Sequence, residues 1–148
     1  MSPTRVSILS KLGAGIVMAC IVLTTHAQVS NTRWQLRVMD LKHQVKVEGT
    51  IRLTDDPETR SCMAGHWKIA VVEAKAVSDE KFFPLTEPLA YEIDNGTITL
   101  GRTRRCDDYL FMTGKFDDKT ISGTYDAPGL PGLVHDQELG YFSLTKIQ

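Results

Sequence analysis

"TGKFDDKTISGTYD", residues Thr113 to Asp126, holds two alternating arms around a polar Asp117-Asp118-Lys119 turn. Met112, Gly114 and Phe116 share one face of the first arm, and Ile121, Gly123 and Tyr125 one face of the second. A period of two is the pattern of a half-buried strand, so the stretch predicts a hairpin. Glycine inside a strand marks a sharp bend, a bulge or the close approach of another chain. Gly49 also falls on the apolar face of its run, and three such glycines predict a tightly curved sheet that leaves space in its interior.

The same period continues on both sides. Apolar faces recur at Trp34, Leu36 and Val38; at Val45, Val47, Gly49, Ile51 and Leu53; and at Trp67, Ile69 and Val71. They recur again at Leu89, Tyr91 and Ile93, at Ile98 and Leu100, and at Phe142 and Leu144. Asn95-Gly96 is a two-residue hairpin signal, because both residues accept positive φ. Asp55–Glu58 reads as a wider loop, and the end of the run from Ile69 to Lys81 is compatible with a helix. Eight runs predict an all-β fold, a single antiparallel eight-stranded up-and-down barrel, since closure removes edges that invite aggregation. A two-sheet β-sandwich is the alternative. A barrel of this size holds side chains or one small ligand.

The N-terminal segment has a different character. Arg5 and Lys11, with no acid, precede a short apolar run and the small residues before Gln28. This layout predicts a signal peptide over residues 1–27 and a single barrel domain over 28–148, exported to the periplasm or secreted. Cys20, after Val17-Met18-Ala19, offers a lipid anchor as the alternative. The apolar run is short for a membrane span, so the mature domain is expected not to cross a bilayer. It carries 15 basic and 18 acidic residues, a net charge of −3. That balance argues against a nucleic-acid partner, which needs a basic face. Cys62 and Cys106 remain after maturation, and an even pair in an oxidising compartment predicts a disulfide.

Gly65-His66-Trp67 and the strand Ile121–Asp126 together resemble small secreted barrels of the calycin kind, the lipocalins and their relatives. The resemblance implies a barrel architecture; in that family an Arg of the last strand covers the Trp, where this chain offers Lys146 instead. Ser122-Gly123-Thr124-Tyr125 is similar to the Ser-Gly-x-Tyr motif of periplasmic inhibitors of invertebrate-type lysozyme. That similarity implies a partner-contacting role for Ser122 and Tyr125. The bland reading sets Ser122 and Thr124 toward solvent, with Gly123 and Tyr125 toward the core.

No catalytic set is legible. His43, His66 and His135 lack metal-ligand spacing, and no nucleophile elbow or phosphate loop is present. The pairs Asp55-Asp56, Asp107-Asp108 and Asp117-Asp118 lack the pattern of a calcium loop and read as turn formers. No cofactor or metal is expected. Arg102, Arg104 and Arg105 form a candidate contact for an anionic group, or a charged strand end that blocks edge pairing. Two apolar loops are candidate binding surfaces: Ala127–Leu139 with Leu130, Leu133 and Val134, and Ser78–Pro88 with Phe82 and Phe83. The second can equally plug a barrel end.

These residues predict an exported, non-enzymatic binding module for a small apolar ligand or an envelope or extracellular protein. The alternatives are a periplasmic inhibitor of a lysozyme-type hydrolase, an enzyme, or a structural envelope protein.

Overall fold

The structure, a computed structural model, describes residues 31–129 and 136–147. The expected signal peptide, Cys20, and Leu130, Leu133 and Val134 lie outside these residues. Eight strands follow one another: β1 (Thr32–Asp40), β2 (Val45–Pro57), β3 (Lys68–Ser78), β4 (Leu89–Asp94), β5 (Thr97–Arg102), β6 (Leu110–Lys115), β7 (Thr120–Ala127) and β8 (Gln137–Ile147). Each pairs antiparallel with its neighbour, and β8 returns to β1 to close the barrel. Closure places Leu36 opposite Leu144 and Val38 opposite Phe142. The sandwich alternative is thereby excluded.

The period-two pattern explains the core. Trp34, Leu36 and Val38 of β1, Ile51 and Leu53 of β2, Ile98 and Leu100 of β5, and Phe142 and Leu144 of β8 all point inward and are buried. A fully buried side chain of this size contributes roughly 1.5–3 kcal/mol. The interior also holds Tyr91, Tyr125 and Phe83, each at most 2 % exposed. At one end Phe116 meets Trp34 edge-on at 6.5 Å, and Tyr91 donates its hydroxyl to the Thr54 carbonyl at 2.7 Å. Burial, aided by the Asp55 charge, pushes the Tyr91 hydroxyl up to about 12.

The turns follow the sequence. Asn95 and Gly96 take φ of 48° and 75° between the facing pair Asp94 and Thr97. Asp117 accepts from the amides of Lys119 and Thr120, and these bonds hold its carboxyl below the ordinary range.

Gly114 and Gly123 face each other across β6 and β7. A Cβ on Gly123 would lie 2.0 Å from the Thr113 carbonyl oxygen and 2.7 Å from the Gly114 Cα. The glycines therefore serve close strand approach instead of opening a space. We expect Gly123→Ala to cost about 1–3 kcal/mol, because the neighbour is backbone and cannot swing aside. Urea denaturation measures this, and a change under a few tenths would show that the strands separate freely.

Four further expectations need correction. Over Ile69–Ser78 the chain is strand throughout, with no helical end. The segment Asp55–Pro57 continues β2 instead of forming a loop. In β3 the inward face is Ala70 and Val72, which stand opposite Leu53 and Ile51. Trp67 is buried on the outer side with Ala90 and Phe111, stacking on Phe111 at 5.7 Å. Lys146, which the last strand offers in place of the lipocalin Arg, stands opposite Trp34 and not Trp67. The face reverses because the loop after β3 brings its own apolar groups. Leu85 reaches within 3.2 Å of where a Gly49 Cβ would sit, and Phe83 joins the same core.

The segment between β2 and β3 lies across the outside of β4–β6. His66 donates its amide to Glu92 at 2.6 Å, and the Cys62 amide donates to the Thr103 carbonyl at 2.8 Å. Cys62 and Cys106 form the disulfide, with Cα atoms 5.5 Å apart.

Candidate functional site

The barrel end opposite Trp34 and Phe116 carries the connections from β3 to β4 and from β5 to β6. The Ser78–Pro88 loop folds across it and is set by its own polar residues. Asp79 accepts from the amides of Lys81 and Phe82, and its carbonyl accepts from the amides of Phe82 and Phe83. Glu80 accepts from the Ser78 hydroxyl, from the Thr86 hydroxyl at 2.7 Å and amide at 3.1 Å, and from Lys75 at 3.3 Å. Those bonds, led by Ser78 and Thr86 and only partly opposed by burial, hold the Glu80 carboxyl at about 2 against an ordinary 4.5.

A carboxyl lowered on folding contributes stability above its ordinary pKa and loses it as pH falls toward the folded value. The loop should therefore loosen between about pH 4.5 and pH 2. Near-ultraviolet circular dichroism reads this, since Phe82 and Phe83 meet Tyr125 edge-on at 5.2 and 5.6 Å. Glu80→Gln should remove that acid step; its survival in the variant would assign the step to another carboxyl.

Below the loop lies a cleft of about 450 Å³ whose charged lining is Glu80, Lys81, Glu87, Arg102, Arg105 and Asp108, with Phe82, Pro84, Leu110, Tyr125 and Leu139 beside them. Tyr125 points inward from β7 and donates its hydroxyl to the Phe82 carbonyl. Burial pushes that hydroxyl up; the Arg102 charge opposes this and Asp108 adds to it. Arg102 continues the inward parity of Ile98 and Leu100 at the end of β5. Its side chain is only 7 % exposed, and an inward charge so placed must be paired. Its Nη1 meets Glu87 Oε2 at 3.2 Å, and its Nη2 meets Asp108 Oδ1 at 3.0 Å and the Asp108 carbonyl at 2.8 Å. Arg105 Nη1 reaches Glu87 and Asp108, both at 3.5 Å. Two arginines and two carboxylates thus form a closed, neutral ring. The Arg102 Nε and the Thr103 hydroxyl are buried without a hydrogen-bond partner among the described residues.

The three arginines do not converge on one open anion site. Arg104 turns away to Glu58, whose carboxylate Oε2 it meets through Nε and Nη2, both at 2.7 Å. The Arg60 amide donates to the other oxygen at 2.7 Å. Burial alone would raise the Glu58 carboxyl, but Arg104 and the Arg60 amide outweigh it and hold it low.

Phe82 lines the cleft, whereas Phe83 is core. Ser122 and Tyr125 face opposite sides of β7. Ser122 is exposed in a shallow outer groove with Met39, His43, Thr124, Tyr141 and Ser143, where His43 stacks on Tyr141 at 4.6 Å. The sequence reading missed Lys81, Glu87 and Asp108. The inward parity of Arg102 was the available signal, since it demands acidic partners. Asp108 was read only as a turn former.

Among the described residues, no group of three or more His, Cys, Asp or Glu could hold a metal ion. No helix among them is long and apolar enough to cross a membrane. The closed eight-stranded antiparallel barrel agrees with a lipocalin-like fold at the level of architecture. Comparison with family models, curated proteins and solved structures finds no match.

Proposed function

We propose that the protein is an exported, non-enzymatic binding module that takes its ligand or partner in the cleft at the loop-bearing end. The observation that carries this reading is the placement of a mixed polar and apolar cleft over an interior already occupied by Trp34, Tyr91, Tyr125, Phe142 and Phe83. Large side chains in the interior favour the rim over the barrel centre as the place for a ligand. Glu80, Glu87 and Asp108 are all engaged by donors, which leaves the cleft without an acid poised as a general base. The inhibitor alternative has less support, because Ser122 and Tyr125 share no surface.

Native mass spectrometry of protein purified from its own host tests the reading. A retained species that is lost in Leu139→Trp, with unchanged melting, is the expected result. A retained species unaffected by that variant would move the site elsewhere. Turnover of a substrate abolished by cleft substitutions would replace the reading with an enzyme.

A further inference from the structure

The geometry points to an amphipathic monoanion as the ligand of the rim cleft: a carboxylate or sulfonate joined to an apolar body. This rests on the binding reading above and adds the ligand's chemistry to it.

Charge pairing around the cleft is uneven. Arg102, Arg105, Glu87 and Asp108 cancel within their ring. Glu80 is turned onto Ser78, Thr86 and Lys75. Lys81 is left as the one charged group of the lining with no opposite partner among the described residues. Donors exceed acceptors as well. The Arg102 Nε–H is buried with no acceptor among the described residues, and an unmade bond of that kind is unfavourable. Arg105 is held only by long contacts of 3.5 Å, and its side chain is 59 % exposed. It can turn toward a new acceptor at little cost. An anionic group between Lys81 and Arg105, which both line the cleft, would be met by two cations at once.

The rest of the lining calls for the other half of the ligand. Phe82, Leu110 and Leu139 are half-buried and pack against the core with one side each. Pro84 continues that wall. A neutral sugar would leave Lys81 unmatched and set hydroxyls against apolar carbon. An inorganic anion would leave the wall wet. A cleft of about 450 Å³ lies within the range of roughly 300–1,000 Å³ that takes small organic ligands.

The test uses two probes that share a ring system. 1-Anilinonaphthalene-8-sulfonate is a monoanion, and N-phenyl-1-naphthylamine is its neutral counterpart. Fluorescence titration of the folded, exported protein should show one saturable sulfonate site. The neutral probe should bind about tenfold more weakly, one ion pair's difference when partly desolvated. Decanoate should displace the sulfonate and decanol should not. Lys81→Gln and Arg105→Gln should each weaken sulfonate binding roughly three- to tenfold without moving the melting temperature, and added salt should do the same.

Equal affinity for the two probes, or indifference to both variants, would overturn the inference. Neutral-probe binding that Leu139→Trp abolishes would then keep the binding reading while removing its anion. Absence of probe binding, together with no cleft-dependent species in native mass spectrometry, would end both. Co-sedimentation with phosphatidylglycerol vesicles that decanoate cannot reverse would assign the donors to a bilayer surface, and the inference would fall.

Discussion

Arg104→Leu should destabilise the barrel by about 3 kcal/mol, the lower end of the cost of breaking a buried ion pair, because Arg104 itself keeps some contact with water. The Glu58 side chain is only 1 % exposed, and the substitution leaves its carboxylate with the Arg60 amide and the more distant Arg60 charge. Urea denaturation at pH 7 measures the loss. The pH dependence separates this mechanism from lost packing. In the native protein the Glu58 carboxyl is held low, so it contributes stability above its ordinary 4.5 that fades as pH falls. In the variant the same carboxyl gains by taking up a proton, so the gap between the two proteins should narrow on acidification. Glu58→Leu with Arg104→Leu should recover much of the loss, since no charge is then stranded. A gap that stays constant with pH would show that solvent already reaches Glu58.

Replacing Cys62 and Cys106 by alanine should lower stability by ~4 kcal/mol in the chain-entropy account, given a sequence separation of 44. The urea midpoint should fall and the slope should rise, because the unfolded chain without the crosslink exposes more surface. The disulfide and the Glu58–Arg104 pair hold the same two segments together. Their combined removal should therefore cost less than the separate losses added. Full additivity would mean that each fixes a different part of the chain. The segment Thr103–Asp108 also carries Arg105 and Asp108, so reduction should loosen their contacts with Arg102 and Glu87 before the barrel melts.

Much of the fold was legible because strand parity is a local property. From Trp34 to Leu144 each inward residue repeats at every second position, and the Asn95-Gly96 and Asp117–Lys119 turns fix where parity restarts. β3 broke the rule for a reason that is not local. Ile69 and Val71 look like a buried face only until Phe83 and Leu85, more than ten residues later, are known to fill the interior. Ala70 then suffices inward, and Trp67 covers Ala90 and Phe111 from outside. Gly123 could be read as a marker of bending, but its partner Gly114 is visible only from cross-strand register. At the cleft, Arg102 shared the parity of Ile98 and Leu100 and so announced a paired charge. Glu87 and Asp108 reach it from separate loops, and no spacing in the chain encodes that meeting.

β3 joins β4 through Lys68, Ile69 and Ala70 alone, while it joins β2 from Val47 to Pro57. The wall of the barrel therefore has a seam. Opening it breaks the fewest ladder bonds, and the Ser78–Pro88 loop, anchored inside by Phe83 and Leu85, bridges the two sides like a clasp. Amide exchange should be quickest for the few ladder amides along this line and slowest around β1 and β8. The ring of strands would then breathe as a hinged sheet with a preferred point of parting. That point lies beside the loop that roofs the cleft, so a guest seated there would tighten the closure of the whole barrel.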